Sequence, residues 1–365
     1  MNNLYNLYIE FLNQFSIPEI FGAVTFTILP FIIIAAVLIL TVLFLVLFER
    51  KLLAYFVQRK GPNRVGIYGS LQTVADAIKL LFKENIEIKA SDKIIFNIAP
   101  ILSLTPVLII WGLLPYTDNF EFMRLNYSLL FYVALTFFPL IAVFLAGYAS
   151  NNKYSYIGAI RSVVQGISFE LPILFVILSI SILSSSFNLY EIANSQNHYG
   201  IFSWYVFPCF LGFLIILTAI PVELNRCPFD LSEAESELIA GYNTEYSGMR
   251  FALFFLAEYA LLFASSALLA VLFFGGYNSP FGQYISAIIF GNGILASVLT
   301  YVEQIFWFFL KTFLIVSFYI WIRATLPRIP AHKLINLSWK YLLPVSIINF
   351  IIILIFKLIL GGVEC

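Results

Sequence analysis

The feature that most constrains this chain is a series of long apolar segments, each of roughly 20 residues, the length at which a helix crosses a bilayer. Eight such segments lie at approximately 23-48, 96-115, 127-149, 167-187, 203-222, 251-275, 302-322 and 341-360. With 61% hydrophobic and 11% charged residues, 365 residues could not form a polar surface in water. The sequence therefore predicts an all-α, polytopic transmembrane helix bundle of about eight spans in one membrane domain, 1-365, with short helices in its inner loops.

A ninth, weaker segment lies between the sixth and seventh spans. Residues 284-298 are only partly apolar and include Gly291 and Gly293. We interpret this stretch as a re-entrant or interfacial piece rather than a further crossing.

Basic residues are concentrated in alternate loops. Eight spans place both termini on one side, and the side richer in Lys and Arg is normally the inner one. The loops after the odd-numbered spans contain Arg50, Lys51, Arg59, Lys60, Arg64, Lys79, Lys83, Lys89, Lys93, Lys153, Arg161, Arg226, Arg250, Arg323, Arg328, Lys333 and Lys340, whereas the opposite loops and tails contain Arg124. This asymmetry predicts that both termini lie outside and the main loops lie in the matrix or cytoplasm.

The first inner loop contains an amphipathic stretch. Between Ser70 and Lys83, one helical face is apolar and the other is polar and charged. The apolar face consists of Leu71, Val74, Ile78, Leu81 and Phe82. Such a helix either lies on the membrane surface or docks on a soluble partner, and we favour docking.

The most unusual loop runs from Glu223 to Tyr246. It contains one basic residue, Arg226, and six acids, Glu223, Asp230, Glu233, Glu235, Glu237 and Glu245. Ser232 followed three residues later by Glu235 resembles a capping box and predicts a short helix. Crowded carboxylates can exchange protons as one coupled group. A solvated acidic helix explains the same charge run, so the residues alone leave both interpretations open.

Acidic residues also lie at membrane depth. Glu258 lies several residues inside the sixth span, and Glu170 stands at the start of the fourth. A charge there costs on the order of 3 kcal/mol unless it is paired or hydrated, which makes such residues functional candidates. Glu49 ends the first span beside Arg50. Together these acids predict a hydrated proton path from the inner surface toward the middle of the membrane.

We expect no metal site and no bound cofactor in this chain. Cys209, Cys227 and Cys365 are too far apart in sequence for a Cys-x-x-Cys pair. His198 and His332 fall outside the apolar segments, which excludes a pair of His ligands for haem inside the bundle. If the protein takes part in redox chemistry, the electron carriers belong to another chain.

Several motifs together resemble one family. They are Glu49-Arg50-Lys51, Gly61-Pro62-Asn63-Arg64-Val65-Gly66, Ala75-Asp76 through Lys83-Glu84, Glu223-Leu224-Asn225-Arg226, Asp230 through Leu238, Asn243 to Ser247, Phe254 to Tyr259, Arg323 through Arg328, and Trp339-Lys340. They extend over almost the whole chain, and the long acidic motif is highly specific. The chain is similar to chain 1 of NADH:ubiquinone oxidoreductase, respiratory complex I, a family that also has bacterial members.

The resemblance implies a membrane subunit of a proton-translocating NADH:ubiquinone reductase, with eight spans and no redox centre of its own. Ubiquinone would be the substrate, and FMN and iron-sulfur clusters would be bound by partner subunits. The other partners implied are further hydrophilic-arm and membrane-arm subunits and membrane lipids, with no nucleic acid.

The resemblance also assigns roles to particular residues. The quinone chamber and its entrance would be bordered by Glu49, Arg50, Arg59, Glu223, Arg226, Asp230, Glu233, Glu235 and Glu237. Glu170 and Glu258 would lie on an acidic path that couples quinone reduction to proton pumping. After Pro327-Arg328 the family usually continues Arg-Tyr-Asp-Gln-Leu, whereas this chain reads Pro330-Ala331-His332-Lys333-Leu334. Partner contacts of the loop 329-334 are therefore not transferred.

Two other functions fit parts of the pattern. A related subunit of membrane-bound hydrogenases has a similar fold, but the intact acidic motif argues against it. A self-sufficient ion transporter would explain buried acids and Lys311, but the paired inverted repeats common in transporters are not found in this sequence.

The cellular membrane is predicted from composition. Richness in Phe, Ile, Asn and Tyr indicates an AT-rich organellar genome, which favours the mitochondrial inner membrane over a bacterial plasma membrane.

Overall fold

The chain is a bundle of helices in the computed structural model, which describes residues 19-86, 88-118, 122-123, 125-197, 200-232, 235-282, 284 and 294-361. The α-helices are α1 (Glu19–Phe56), α2 (Gln72–Phe82), α3 (Lys93–Leu113), α4 (Ser128–Ala149), α5 (Lys153–Ser184), α6 (Leu189–Asn194), α7 (Phe210–Glu223), α8 (Glu235–Leu238), α9 (Gly248–Phe274), α10 (Ile294–Thr325), α11 (Ala331–Asn336) and α12 (Leu343–Gly361). A π-helical turn, Leu337–Leu342, joins α11 to α12. The predicted all-α polytopic bundle is confirmed.

Seven helical runs in the described part of the chain are long and apolar enough to cross a membrane. They are α1, α3, α4, α5, α9, α10 and the continuous run from α11 into α12. The apolar helix α7 overlaps the predicted fifth span, 203-222, but has only 14 residues. Its length is therefore about 21 Å, shorter than the hydrocarbon core. Pro208 accounts for the late start, because the residue before a proline is disfavoured in helical conformation.

The helix α5 is longer than the predicted span 167-187. It begins at Lys153, where the side chain of Asn152 accepts a hydrogen bond from the amide of Tyr154 at 3.0 Å. This cap satisfies one of the free N–H groups at the helix start. Arg161 and Gln165 therefore lie on a helix and not in a loop.

The core of the bundle surrounds α9. Its side chains from Ala260 to Phe273 are buried almost without interruption, as expected for a helix that is apolar on all sides. Trp111 of α3 is fully buried, donates its indole N–H to the carbonyl of Ala260 at 3.0 Å, and stacks on Phe263 with ring centroids 4.7 Å apart. The apolar segments thus pack into one contiguous core that fixes the ends of the helices.

The amphipathic helix predicted at Ser70 to Lys83 is present as α2. Its apolar face, from Leu71 to Phe82, is exposed, and Phe82 is 86% accessible. Asp76 on the polar face accepts from Arg50 at 2.5 Å, which ties α2 to the end of α1. The face is available to a membrane surface or to a partner.

The re-entrant segment predicted at 284-298 lies mostly outside the described residues, which omit 285-293. Residues 294-298 form the start of α10.

Lys311 of α10 caps the end of α9. Its ammonium donates to the carbonyls of Phe274 at 2.7 Å, Gly276 at 3.0 Å and Asn278 at 2.6 Å. The last carbonyls of a helix have no partner within the helix, and a cation there interacts favourably with the helix dipole. The geometry therefore assigns Lys311 a contact with the end of a neighbouring helix.

We expect Lys311→Met to destabilise the protein by about 3 kcal/mol, because charged hydrogen bonds are lost and buried carbonyls are left without donors. The measurement is the temperature at which the purified protein loses its native-gel band. The control is Lys79→Met, which removes an exposed lysine from α2. If both variants lost the native-gel band at the same temperature, the capping role of Lys311 would be contradicted.

Candidate functional site

The centre of the site is a buried ion-pair cluster at the end of the bundle where the basic loops gather. Arg226 donates through Nη1 to Glu49 Oε2 at 3.0 Å and through Nε to Glu258 Oε1 at 2.8 Å. Arg323 pairs with the other oxygen of Glu49. Arg226 is 7% exposed and Glu49 is 2% exposed. Residues from α1, α9, α10 and the loop after α7 thus meet at one point.

The turn after α7 places Arg226 in this cluster. Asn225 adopts a left-handed conformation with φ of 51°, and its side chain donates to the hydroxyl of Ser162 at 3.0 Å. The amide of Arg226 then bonds back to the carbonyl of Pro221 at 3.0 Å. The chain therefore reverses tightly and aims the guanidinium at the helices.

The charges of the cluster balance, with two carboxylates and two guanidinium groups. The guanidinium of Arg226 also lies over the ring of Tyr259, 4.1 Å from its centroid, in cation–π geometry. Burial opposes the charge of Arg226, but the carboxylates of Glu258 and Glu49 outweigh that effect and raise its pKa above the ordinary value. Arg226 is therefore a fixed positive charge, and Glu49 and Glu258 are the members whose charge can change.

Two small cavities continue from this cluster into the bundle. The larger has a volume of about 60 Å³ and is lined by Glu258, Glu223, Asn225 and Tyr242 among others. The smaller, about 20 Å³, is lined by Glu223, Glu170, Tyr132 and Thr136 with apolar residues. Because a water molecule needs about 10–15 Å³, the cavities have room for a few waters and for about one water, respectively.

Glu223 connects the two cavities, since its side chain lines both. Glu170 lies at the far end, 4% exposed, and neither of its carboxylate oxygens has a hydrogen-bond partner among the described residues. The three carboxylates, Glu258, Glu223 and Glu170, thus line two small cavities in succession, with mainly apolar residues around them. Such a line of acids can transfer protons by way of water.

Three of the acids in the loop 223-246 each have a polar partner outside the loop. Asp230 contacts Arg328 at 3.4 Å, and Glu237 contacts Arg161 at 2.5 Å. Glu245 accepts from Asn152 at 2.7 Å. These partners lie in the loop after α10, on α5 and at the N-cap of α5, respectively. Glu233 and the side chain of Glu235 lie outside the described residues, so the coupled group stays a prediction.

Four predicted site residues remain to be placed: Glu233, Glu235, Arg50 and Arg59. The short helix predicted near Glu235 is present as α8, but the side chain of Glu235 and the whole of Glu233 lie outside what the structure describes. Arg50 pairs with Asp76 of α2 and not with the buried cluster. Arg59 is exposed, and no described contact joins it to the cluster.

Sequence reasoning missed two members of the cluster. Arg323 stands among the basic loop residues in the sequence. The available signals were its position at the end of the seventh apolar segment and its place in the motif Arg323 through Arg328. Tyr259 directly follows Glu258, but in the sequence it stands out only as the last residue of the family motif Phe254 to Tyr259. Neither shows a local pattern with Glu49, because the contacts join distant parts of the chain, and Glu49 and Arg323 are separated by 274 in residue number.

Comparisons with known proteins give one consistent result. A sequence model of the family described as NADH dehydrogenase matches residues 29–354. The chain is 43% identical over 325 residues to the H subunit of NADH-quinone oxidoreductase from Brevibacillus brevis, covering 88% of this chain and 91% of the relative. The corresponding protein of Bacillus cytotoxicus is 42% identical over 313 residues, 86% of this chain and 88% of the relative. That of Dehalococcoides mccartyi is 40% identical over 321 residues, 88% and 84% of the two chains.

Proposed function

Because the chain belongs to the NADH dehydrogenase family, as a membrane subunit of NADH-quinone oxidoreductase, we propose that its Arg226 cluster borders the quinone chamber and its buried acids carry protons away from it. The observation that supports this proposal best is that the cluster, the larger cavity and the smaller cavity share carboxylates. Glu258 belongs to both the cluster and the larger cavity, and Glu223 belongs to both cavities.

The chemistry of the cluster suits a reaction that changes charge nearby. Reducing a quinone to a quinol takes up two electrons and two protons, so negative charge develops before the protons arrive. A fixed guanidinium at Arg226 would stabilise that charge, which would weaken the attraction of Arg226 for Glu49 and Glu258. Either carboxylate could then bind or pass on a proton. In this way quinone reduction would change the tendency of Glu258, the first acid of the line, to bind a proton.

The electrons must come from outside this chain under the proposal. Partner subunits would carry FMN and iron-sulfur clusters, and the basic loops with α2 would face them. Ubiquinone would enter with its apolar tail in the lipid. Other subunits of the oxidoreductase are implied as partners by membership of the family.

The chain is a multi-pass membrane protein, and the relatives reported above are bacterial. They give no support to the mitochondrial location predicted from composition, and they favour a bacterial plasma membrane. We propose that both termini lie outside, on the basis of the asymmetric basic loops. This proposal counts the short apolar helix α7 as the eighth crossing beside the seven long helical runs.

The proposal is tested with Glu170→Gln, which keeps the side-chain size and removes the exchangeable proton. We expect NADH-driven proton pumping in membrane vesicles to fall by about tenfold or more, since a positioned acid or base commonly contributes at least that factor. Native gels establish that the complex has assembled.

Glu191→Gln is the matched control, because Glu191 lies exposed on α6, away from both cavities. It should pump as the unmodified protein does. Normal pumping by assembled Glu170→Gln would remove Glu170 from the path.

A further inference from the structure

One turn of α5 combines Glu170 with a gap in the helical hydrogen bonds. Pro172 lies inside α5, two residues after Glu170, and has no N–H. The carbonyl of Ser168, four residues earlier, therefore lacks its normal donor. Ser168 is 4% exposed, so that carbonyl needs a partner from elsewhere in the protein.

The partner comes from the π-helical turn before α12. The buried hydroxyl of Ser338 donates to the carbonyl of Ser168. The next residue, Trp339, donates its indole N–H to the hydroxyl oxygen of Ser168 at 3.2 Å. That hydroxyl in turn donates to the carbonyl of Val164 at 2.7 Å. Two adjacent residues thus hold both polar groups of Ser168.

The π-helical turn has a local cause. Pro344 cannot donate to the carbonyl of Lys340, so the α-helical pattern is interrupted there. Single π-helical turns within α-helices occur frequently at functional sites. Here the turn sets the direction of Ser338 and Trp339 toward α5.

Two further contacts fix the register of α12 on α5. Asn349 donates to the hydroxyl of Ser179 at 3.3 Å, and Lys357 donates to the carbonyl of Leu183 at 2.8 Å. On the other side of the turn, the amide of Ile329 bonds to the carbonyl of Pro228 at 3.1 Å, close to Arg226. The segment 329-342 is therefore anchored at both ends, once beside the ion-pair cluster and once beside Glu170.

We propose that Ser338 and Trp339 are positioning residues for Glu170, holding the proline-weakened turn of α5 so that its carboxylate faces the smaller cavity. This inference rests on the proposed role of Glu170 in proton transfer. The groups that face Glu170 across that cavity are Tyr132 and Thr136 of α4, Glu223 of α7 and Ser265 of α9. A shifted turn would change the distance from Glu170 to Glu223, the next acid in the line.

The test uses Ser338→Ala and Trp339→Phe in the assembled complex within native membranes. Each removes one donor and keeps most of the side-chain volume. We expect proton pumping to fall by about fivefold in each, the effect of losing one hydrogen bond of typical strength. We also expect a shifted pH profile of pumping, because Glu170 and Glu223 change their separation. Ser338→Thr keeps the hydroxyl and should restore both.

Matched controls exist on neighbouring helical segments. Ser346 is a buried serine of α12 whose hydroxyl donates to its own helix at Leu343, so Ser346→Ala should leave pumping unchanged. Trp321 is 49% exposed, close to the 51% of Trp339, so Trp321→Phe controls for loss of an indole.

The background variant Glu170→Gln separates the possible failures. If the inference holds, adding Ser338→Ala to Glu170→Gln causes no further loss. Independent, additive losses would show that Ser338 acts only on general stability and would overturn the inference. Unchanged pumping in both Ser338→Ala and Trp339→Phe, while Glu170→Gln is defective, would also overturn it. If Glu170→Gln itself pumps normally, the proposed function of Glu170 fails instead.

Discussion

Arg226→Met is expected to abolish NADH-driven quinone reduction and to prevent most of the complex from assembling. The methionine has a similar length but no charge, so the buried Glu49 and the partly buried Glu258 would have less compensation. Removing one partner of a buried ion pair costs about 3–5 kcal/mol. Native gels measure assembly, and NADH oxidation with a soluble quinone measures activity.

A second variant separates the structural effect from the chemical one. In Arg226→Met/Glu258→Gln the carboxylate of Glu258 is neutralised, and Glu49 keeps its partner Arg323. We expect assembly to recover while quinone reduction stays lost, because the fixed positive charge is still missing. Recovery of activity would show that Arg226 acts only in folding.

The exposed ion pair between Arg161 and Glu237 serves as the control for the effect of burial on stability. Arg161→Met breaks the pair with Glu237, in which the Arg161 side chain is 34% exposed and that of Glu237 is 55% exposed. Exposed pairs contribute about 0–1 kcal/mol, so assembly should be nearly unaffected. An equal loss of assembly in Arg161→Met and Arg226→Met would contradict the importance given to burial.

Glu223→Gln is expected to stop proton pumping almost completely in an assembled complex. Glu223 is the residue that the two cavities share, and its amide replacement would fill the same space without carrying a proton. Loss of a proton-transferring group commonly costs about 10²–10⁴-fold in rate. Acidification of vesicles, followed with a pH-sensitive dye after NADH addition, measures the effect.

The conservative change Glu223→Asp keeps a carboxylate in a shorter side chain, and we expect it to retain part of the pumping. Glu84→Gln provides an exposed control outside both cavities and should behave as the unmodified protein. Pumping at the normal rate in assembled Glu223→Gln would mean that protons do not pass between Glu258 and Glu170 by this line.

The fold was largely predictable from sequence because a bilayer imposes a simple rule. Backbone polar groups within lipid must be satisfied internally, so long apolar segments become helices. The same rule set the approximate limits of α3, α4 and α9. The rule did not predict the exact ends of two helices. A proline shortened α7 and the cap at Asn152 lengthened α5, because helix ends depend on local backbone chemistry and not on hydrophobicity.

The sequence by itself determined that the chain is a multi-span helix bundle and which family it belongs to. It also showed that Glu170 and Glu258 are unusual, because an acid within an apolar segment can be recognised from residue type and position. Only the tertiary structure decided what these acids contact. Arg226 meets Glu49 and Glu258, and Glu223 joins two cavities, through packing between helices far apart in the chain. No short pattern encodes such contacts, because they depend on how the apolar faces of all the helices fit together.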